Sequence, residues 1–156
     1  MRLSDELLEF LQLPLMCIVA ASDADGRPAA GRGVGLHVQD DRESIDIIFS
    51  AWQWPGLESA VRQTGRLAVT FVSPPDYRTF QIKGSATIRD IEPGDSDRAD
   101  RFMTAATGIL TDLGVPPVLI APWLTARGAK VAQLSASEAY IQTPGPHAGM
   151  STATRL

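Results

Sequence analysis

The stretch Thr79-Phe80-Gln81-Ile82-Lys83-Gly84-Ser85-Ala86-Thr87-Ile88-Arg89 decides the fold. Phe80, Ile82, Ala86 and Ile88 fall on one side of an extended chain. Thr79, Gln81, Lys83, Ser85, Thr87 and Arg89 fall on the other. Alternation with period two marks a strand with one buried and one polar face, the habit of antiparallel sheets. A strand this long overhangs a small core unless it bends or passes between two sheets, and Gly84 stands where it can bulge.

Short strands surround it. Leu67, Val69 and Phe71 form one, separated from the long strand by Ser73-Pro74-Pro75-Asp76. Earlier, Leu15 to Ser22 is a short apolar run, read as a buried strand. Asp23-Ala24-Asp25-Gly26-Arg27-Pro28 turns it into a second strand, Pro28 to Val38, because Asp-Gly tolerates positive φ and proline resets the chain. Ile45, Ile47 and Phe49 alternate into a third strand. Lys130 to Ile141 reads as a last strand, which Thr143-Pro144-Gly145-Pro146 ends. Helices are expected after Ser4 and from Pro55 to Gly65, and Pro93-Gly94-Asp95-Ser96 opens a third, in which Phe102, Ala105, Ala106, Ile109 and Leu113 keep a period of 3.6 and which Pro116-Pro117 breaks. This order of sequential strands argues for a mainly β fold, an antiparallel barrel with flanking helices. Residues 1–142 make one domain, and 143–156 are a tail.

The chain has 156 residues, 44% of them hydrophobic and 21% charged, ordinary values for a globular protein. Its 18 acidic and 14 basic side chains give a net charge of −4, without the basic excess of a nucleic-acid binder. One cysteine allows no internal disulfide, and with only two histidines no Cys/His zinc site can be assembled. The longest apolar run, Leu13 to Ala21, is too short for a membrane span, and the acidic N-terminus is unlike a signal peptide. A cytoplasmic protein is the expectation.

Gly31-Arg32-Gly33-Val34-Gly35 resembles a dinucleotide motif only superficially, since it lies inside a strand rather than between a strand and a helix. Glycines spaced by two leave bare backbone on one face. Arg32 among them is either a solvated strand arginine or one held for bidentate contact with a phosphate. Lys83, Gln81 and Thr79 are either a wet barrel exterior or the floor of a polar site. Trp52 and Trp54 are either core residues or the wall of a flat ring. Cys17 is read as a buried, inert thiol.

Taken in order, Asp25-Gly26-Arg27-Pro28, Arg32-Gly33-Val34-Gly35-Leu36-His37, Ile47-Ile48-Phe49-Ser50 and Arg78-Thr79-Phe80-Gln81-Ile82-Lys83-Gly84 resemble the pyridoxamine 5′-phosphate oxidase-like, FMN-binding split-barrel superfamily. The resemblance spans roughly residues 3 to 142 and implies a homodimer with FMN at the subunit interface. By position, Arg32, with Gly33 and Val34 beside it, would hold the phosphate. His37 would stand where the family has lysine, Ser50, Ala51 and Trp52 would lie beside the flavin, and Thr79, Gln81 and Lys83 would line it. The family's Ser-Arg-Lys phosphate clamp falls at Pro55-Gly56-Leu57, which carries neither charge nor hydroxyl. The phosphate would then rest on Arg32, backbone N–H groups and the N-terminus of the helix at Pro55. The basic C-terminal substrate motif of the true vitamin oxidases has no counterpart here. The implied function is a flavin-dependent oxidoreductase of unassigned substrate, not a vitamin B6 oxidase. The alternative is a non-catalytic split barrel holding haem, a deazaflavin or nothing.

Overall fold

A computed structural model describes residues 1–152. Its elements are α1 (Asp5–Phe10), β1 (Met16–Ser22), β2 (Pro28–Val38), β3 (Ser44–Ser50), α2 (Pro55–Thr64), β4 (Arg66–Val72), β5 (Thr79–Asp90), α3 (Asp95–Asp112), α4 (Pro117–Ile120) and β6 (Ala129–Ile141), with a 3₁₀ turn at Ala121–Trp123. The six strands close an antiparallel barrel in the order β1-β2-β3-β6-β5-β4.

Inward residues of every strand build one core, among them Val19, Ile47, Phe49, Val69, Phe71, Ile82 and Leu134. The two N-terminal helices add to it: Leu7 and Phe10 from α1, Leu57 and Val61 from α2. Ser4 caps α1 by accepting from the Leu7 N–H, and Gly65 ends α2 in the left-handed region at φ 63°. On the outside, α3 lays Ala99 over Val34, Ile48 and Val131. Its far end meets Met16 and Ile120, which docks α4 beside the start of β1.

The long strand bends where the sequence placed the bulge, because the β5–β6 register shifts between Lys83 and Gly84. There the two backbones come so close that a Cβ on residue 84 would run into the Ser135 carbonyl. One expectation is corrected. β1 is not buried on both faces: Cys17 and Val19 point inward, while Ile18 between them is 42% exposed. Its apolar outward residues had disguised a simple alternation.

Of the tail, residues 149–151 fold back along β6. The Ile141 N–H donates to the Met150 carbonyl, the Gly149 N–H to the Ile141 carbonyl, and Tyr140 bridges Ser151. The remaining tail residues, 153–156, lie outside the described residues. No helix among the described residues is long and apolar enough to cross a membrane.

Cys17 sits inside the barrel, and burial pushes its thiol up to about 12. At pH 8 so little thiolate exists that iodoacetamide will label the native protein about 1000-fold more slowly than the urea-unfolded chain. Comparable rates in the two states would remove Cys17 from the core.

Candidate functional site

Strand register assembles the site. Arg32 on β2 pairs with Ile18 on β1, Ile18 with Thr70 on β4, Thr70 with Gln81 on β5, and Gln81 with Tyr140 on β6. These five side chains form one transverse row on the outside of the barrel. The next outward row runs Ala30, Ala20, Ala68, Lys83 and Glu138 in the same strand order. Three alanines side by side leave a low, apolar floor next to a ridge of larger side chains. A cleft of about 880 Å³ opens from that floor, lined by Ala20, Ala68, Lys83, Arg66, Ser85 and Ser22 among others.

Arg32 is the unusual member. It is half-buried, and its guanidinium lies 4.8 Å from the ring centroid of Trp123. No carboxylate among the described residues pairs with it. Burial alone shifts its pKa, downward from the ordinary arginine value. A cation kept partly from water without a counter-ion costs free energy unless an anion arrives. Cation–π stacking fixes the plane of the fork without using its N–H groups, which remain free to donate.

The loop after β3 carries this arrangement. Ser50 Oγ donates to the Arg127 carbonyl at 2.6 Å and accepts from the Gln53 N–H at 3.1 Å. The Ala51 N–H donates to the Gly128 carbonyl. Gln53 Nε2 donates to the Pro122 carbonyl at 2.8 Å, next to Trp123. Residues 50–53 are thus stitched to residues 122–128, the segment that lays Trp123 on Arg32. Trp54 occupies the space a Cβ on Gly31 would take. Gly56, in the first turn of α2, faces Ala29, so the helix N-terminus meets β2 on its inward side and, contrary to expectation, is turned away from the outer face that carries Arg32. Gln53 Oε1 and Trp54 Nε1 are buried without a hydrogen-bond partner.

The expected site residues divide accordingly. Arg32, Gln81 and Lys83 come to one face. Gln81 Nε2 donates to Thr70 Oγ1 at 3.1 Å, and Lys83 Nζ stands 5.0 Å from the Tyr140 ring centroid. Thr79 lies on the same strand but is buried, its hydroxyl donating to the Tyr77 carbonyl. Ser50 is buried with its hydroxyl committed as above, and Ala51 is half-buried beside it. Trp52 is 57% exposed under the Arg127 guanidinium, 4.0 Å from its ring centroid. Gly33 points into the barrel against Cys17, and Val34 is buried beneath α3. His37 lies apart, about 16 Å along β2 from Arg32. It faces a separate cleft with Leu8, Leu11 and Arg42. Ile18, Thr70, the alanine floor and Trp123 were not anticipated. The signal for Ile18 was an apolar residue on an outward strand position, which in a small barrel asks for a cover.

A flat apolar floor, an amide and hydroxyl edge, and a free arginine fork together suit a planar ring with an anionic tail. No protein-family model matches the sequence, and no curated protein matches it. Solved structures do match in fold. A pyridoxamine 5′-phosphate oxidase-related, FMN-binding protein from Nostoc punctiforme is 13% identical, with 93% of this chain and 87% of that one covered and a TM-score of 0.53. HutZ, the heme storage protein from Vibrio cholerae, is 13% identical over 90% and 95%, with a TM-score of 0.54. An F420 reductase is 14% identical over 84% and 93%, with a TM-score of 0.53. The barrel order, the bulged long strand and these likenesses agree: the chain has the split-barrel fold of the pyridoxamine 5′-phosphate oxidase-related proteins.

Proposed function

We propose that this protein binds FMN on the outer face of β2, β1, β4 and β5 and serves a flavin-dependent redox reaction as a homodimer. The observation that carries the reading is Arg32, half-buried, stacked on Trp123 and without a carboxylate partner among the described residues, at the edge of an alanine floor. In the proposed complex Arg32 takes the phosphate. Thr70, Gln81 and Lys83 give the floor a polar edge for the heteroatoms of the ring. FMN would supply the electron chemistry; the protein supplies binding, orientation and exclusion of water. Ile18 and the alanines favour a second copy as cover, because an apolar sheet face left in water loses its burial energy. A haem reading would have to rest on Tyr140 as the iron ligand, since the two rows contain no histidine, cysteine or methionine, and that hydroxyl is bonded to Glu138.

The test is an absorption spectrum of the purified protein, an FMN titration, and light scattering for mass. We expect a retained flavin spectrum, a Kd of about 1 µM or tighter, worth roughly 8 kcal/mol, and the mass of a dimer. Absence of saturable FMN binding would overturn the reading. A Soret band on adding hemin, or tighter binding of a deazaflavin, would assign the face to those ligands instead.

A further inference from the structure

We infer that the far end of the alanine cleft, between Arg66 and Lys83, holds the oxyanion of a small organic substrate, a carboxylate or a phosphate ester. Naming that molecule the substrate rests on the flavin reading above; the anion site itself does not.

The register fixes the geometry. Arg66 on β4 pairs with Ser85 on β5, and Ala68 with Lys83. Arg66 and Lys83 are therefore diagonal neighbours on one face, with Cα atoms about 7 Å apart. Both are exposed, and both line the same cleft. Neither has a carboxylate within salt-bridge distance among the described residues. Glu138 faces Lys83 across the β5–β6 ladder and lines the same cleft, with its Oε2 turned to accept the Tyr140 hydroxyl. In a chain with four more acids than bases, two adjacent cations without a carboxylate partner among the described residues stand out, and Lys83 rests only on the Tyr140 ring, 5.0 Å from its centroid. Like charges this close repel, and the repulsion turns into attraction once an anion sits between them.

The surroundings fit such an anion. The side-chain hydroxyls of Ser22 and Ser85 line the cleft and make no hydrogen bond among the described residues. Small residues keep the space open: Ala20 and Ala68 on the floor, Gly65 and Gly84 at the rim. Walls of low dielectric focus the field of the two cations into the cleft. From Arg32, Arg66 lies two strands across and about 13 Å along the strand direction, so one phosphate cannot satisfy both. The face thus offers two separate anion-seeking ends joined by an apolar floor.

The experiment is calorimetric titration of the full chain with inorganic phosphate and, separately, with acetate. We expect saturable binding of at least one, at millimolar strength. Arg66→Gln removes charged hydrogen bonds and should weaken it at least tenfold or so. In that variant the FMN affinity should stay within about twofold, because Arg66 has no role in the flavin assignment, whereas Arg32→Ala should leave the small anion bound. Lys83→Gln should weaken the anion too. The stronger of the two probes names the oxyanion class. Absence of saturable binding of either probe, equal binding to Arg66→Gln, or loss of binding in Arg32→Ala alone would overturn the inference. Failure to bind FMN with anion binding intact at Arg66 would overturn only the flavin reading.

Discussion

Replacing Arg32 with alanine will weaken FMN binding by roughly 30- to 1000-fold and leave the fold standing. The magnitude follows from a bidentate, charge-assisted contact worth about 2–4 kcal/mol when a partly desolvated guanidinium meets a phosphate. Among the described residues the expected phosphate positions cannot replace it: Pro55, Gly56 and Leu57 have no charge, and His37 lies elsewhere on β2. Stability should fall by no more than about 1–2 kcal/mol, the loss of the Trp123 stack, because Arg32 makes no ion pair among the described residues and burial already opposes its charge. Arg32→Lys tests the geometry of the contact. Lysine keeps the charge but lacks the planar fork and stacks less well on Trp123, so it should restore only part of the affinity. The checks are FMN titration and a thermal melt. Unchanged affinity in Arg32→Ala with an intact melt would place the phosphate elsewhere.

The barrel was legible because its strands announce themselves locally. Val69 and Phe71 flank Thr70, Phe80 and Ile82 flank Gln81, Ile45 and Ile47 flank Asp46, and Asp25-Gly26 and the prolines punctuate the strands. Gly84 could be assigned to a bulge because a strand of that length must bend. The site was legible only in pieces. Arg32 and the Gln81–Lys83 face could be picked out singly. Their meeting depends on β1 pairing with β4 and on a register that no local pattern encodes. A shift of one residue would have turned Ile18 inward and Cys17 outward. Trp123 was still less accessible, since it reaches Arg32 through a turn held by side chain-to-carbonyl bonds from Ser50 and Gln53. Ser50 shows the converse. Its position suggested a ligand contact, but its hydroxyl closes a loop.

The same face depends on a polar network on the opposite side of the barrel, and Arg89→Met will destabilise the protein by about 3 kcal/mol at pH 7. Arg89 bridges two buried carboxylates, Asp46 of β3 at 2.9 Å and Asp95 of α3 at 2.7 Å. Asp95 also accepts from Arg98 and from the Glu92 N–H, and Asp46 from Gln39 and Gln133. Removing the arginine leaves these acids with hydrogen bonds but less charge compensation, which is why the loss is large. Methionine keeps much of the volume, so the effect reports charge rather than a cavity. The pH dependence follows from Asp95. The Arg89 guanidinium holds its carboxyl below the ordinary value of 3.8. A depressed carboxyl contributes stability that is present above that value and lost as pH falls through the lower, folded one. The gap between native protein and Arg89→Met should therefore be full at neutral pH and narrow below about pH 4. Urea unfolding across that range measures it, and a gap independent of pH would mean that Arg89 acts through packing alone. The network pins the start of α3, whose other end docks Ile120 on Met16 and so sets where Trp123 stands. A variant still folded at low temperature should accordingly bind FMN several-fold more weakly, although residue 89 lies far from the proposed ligand.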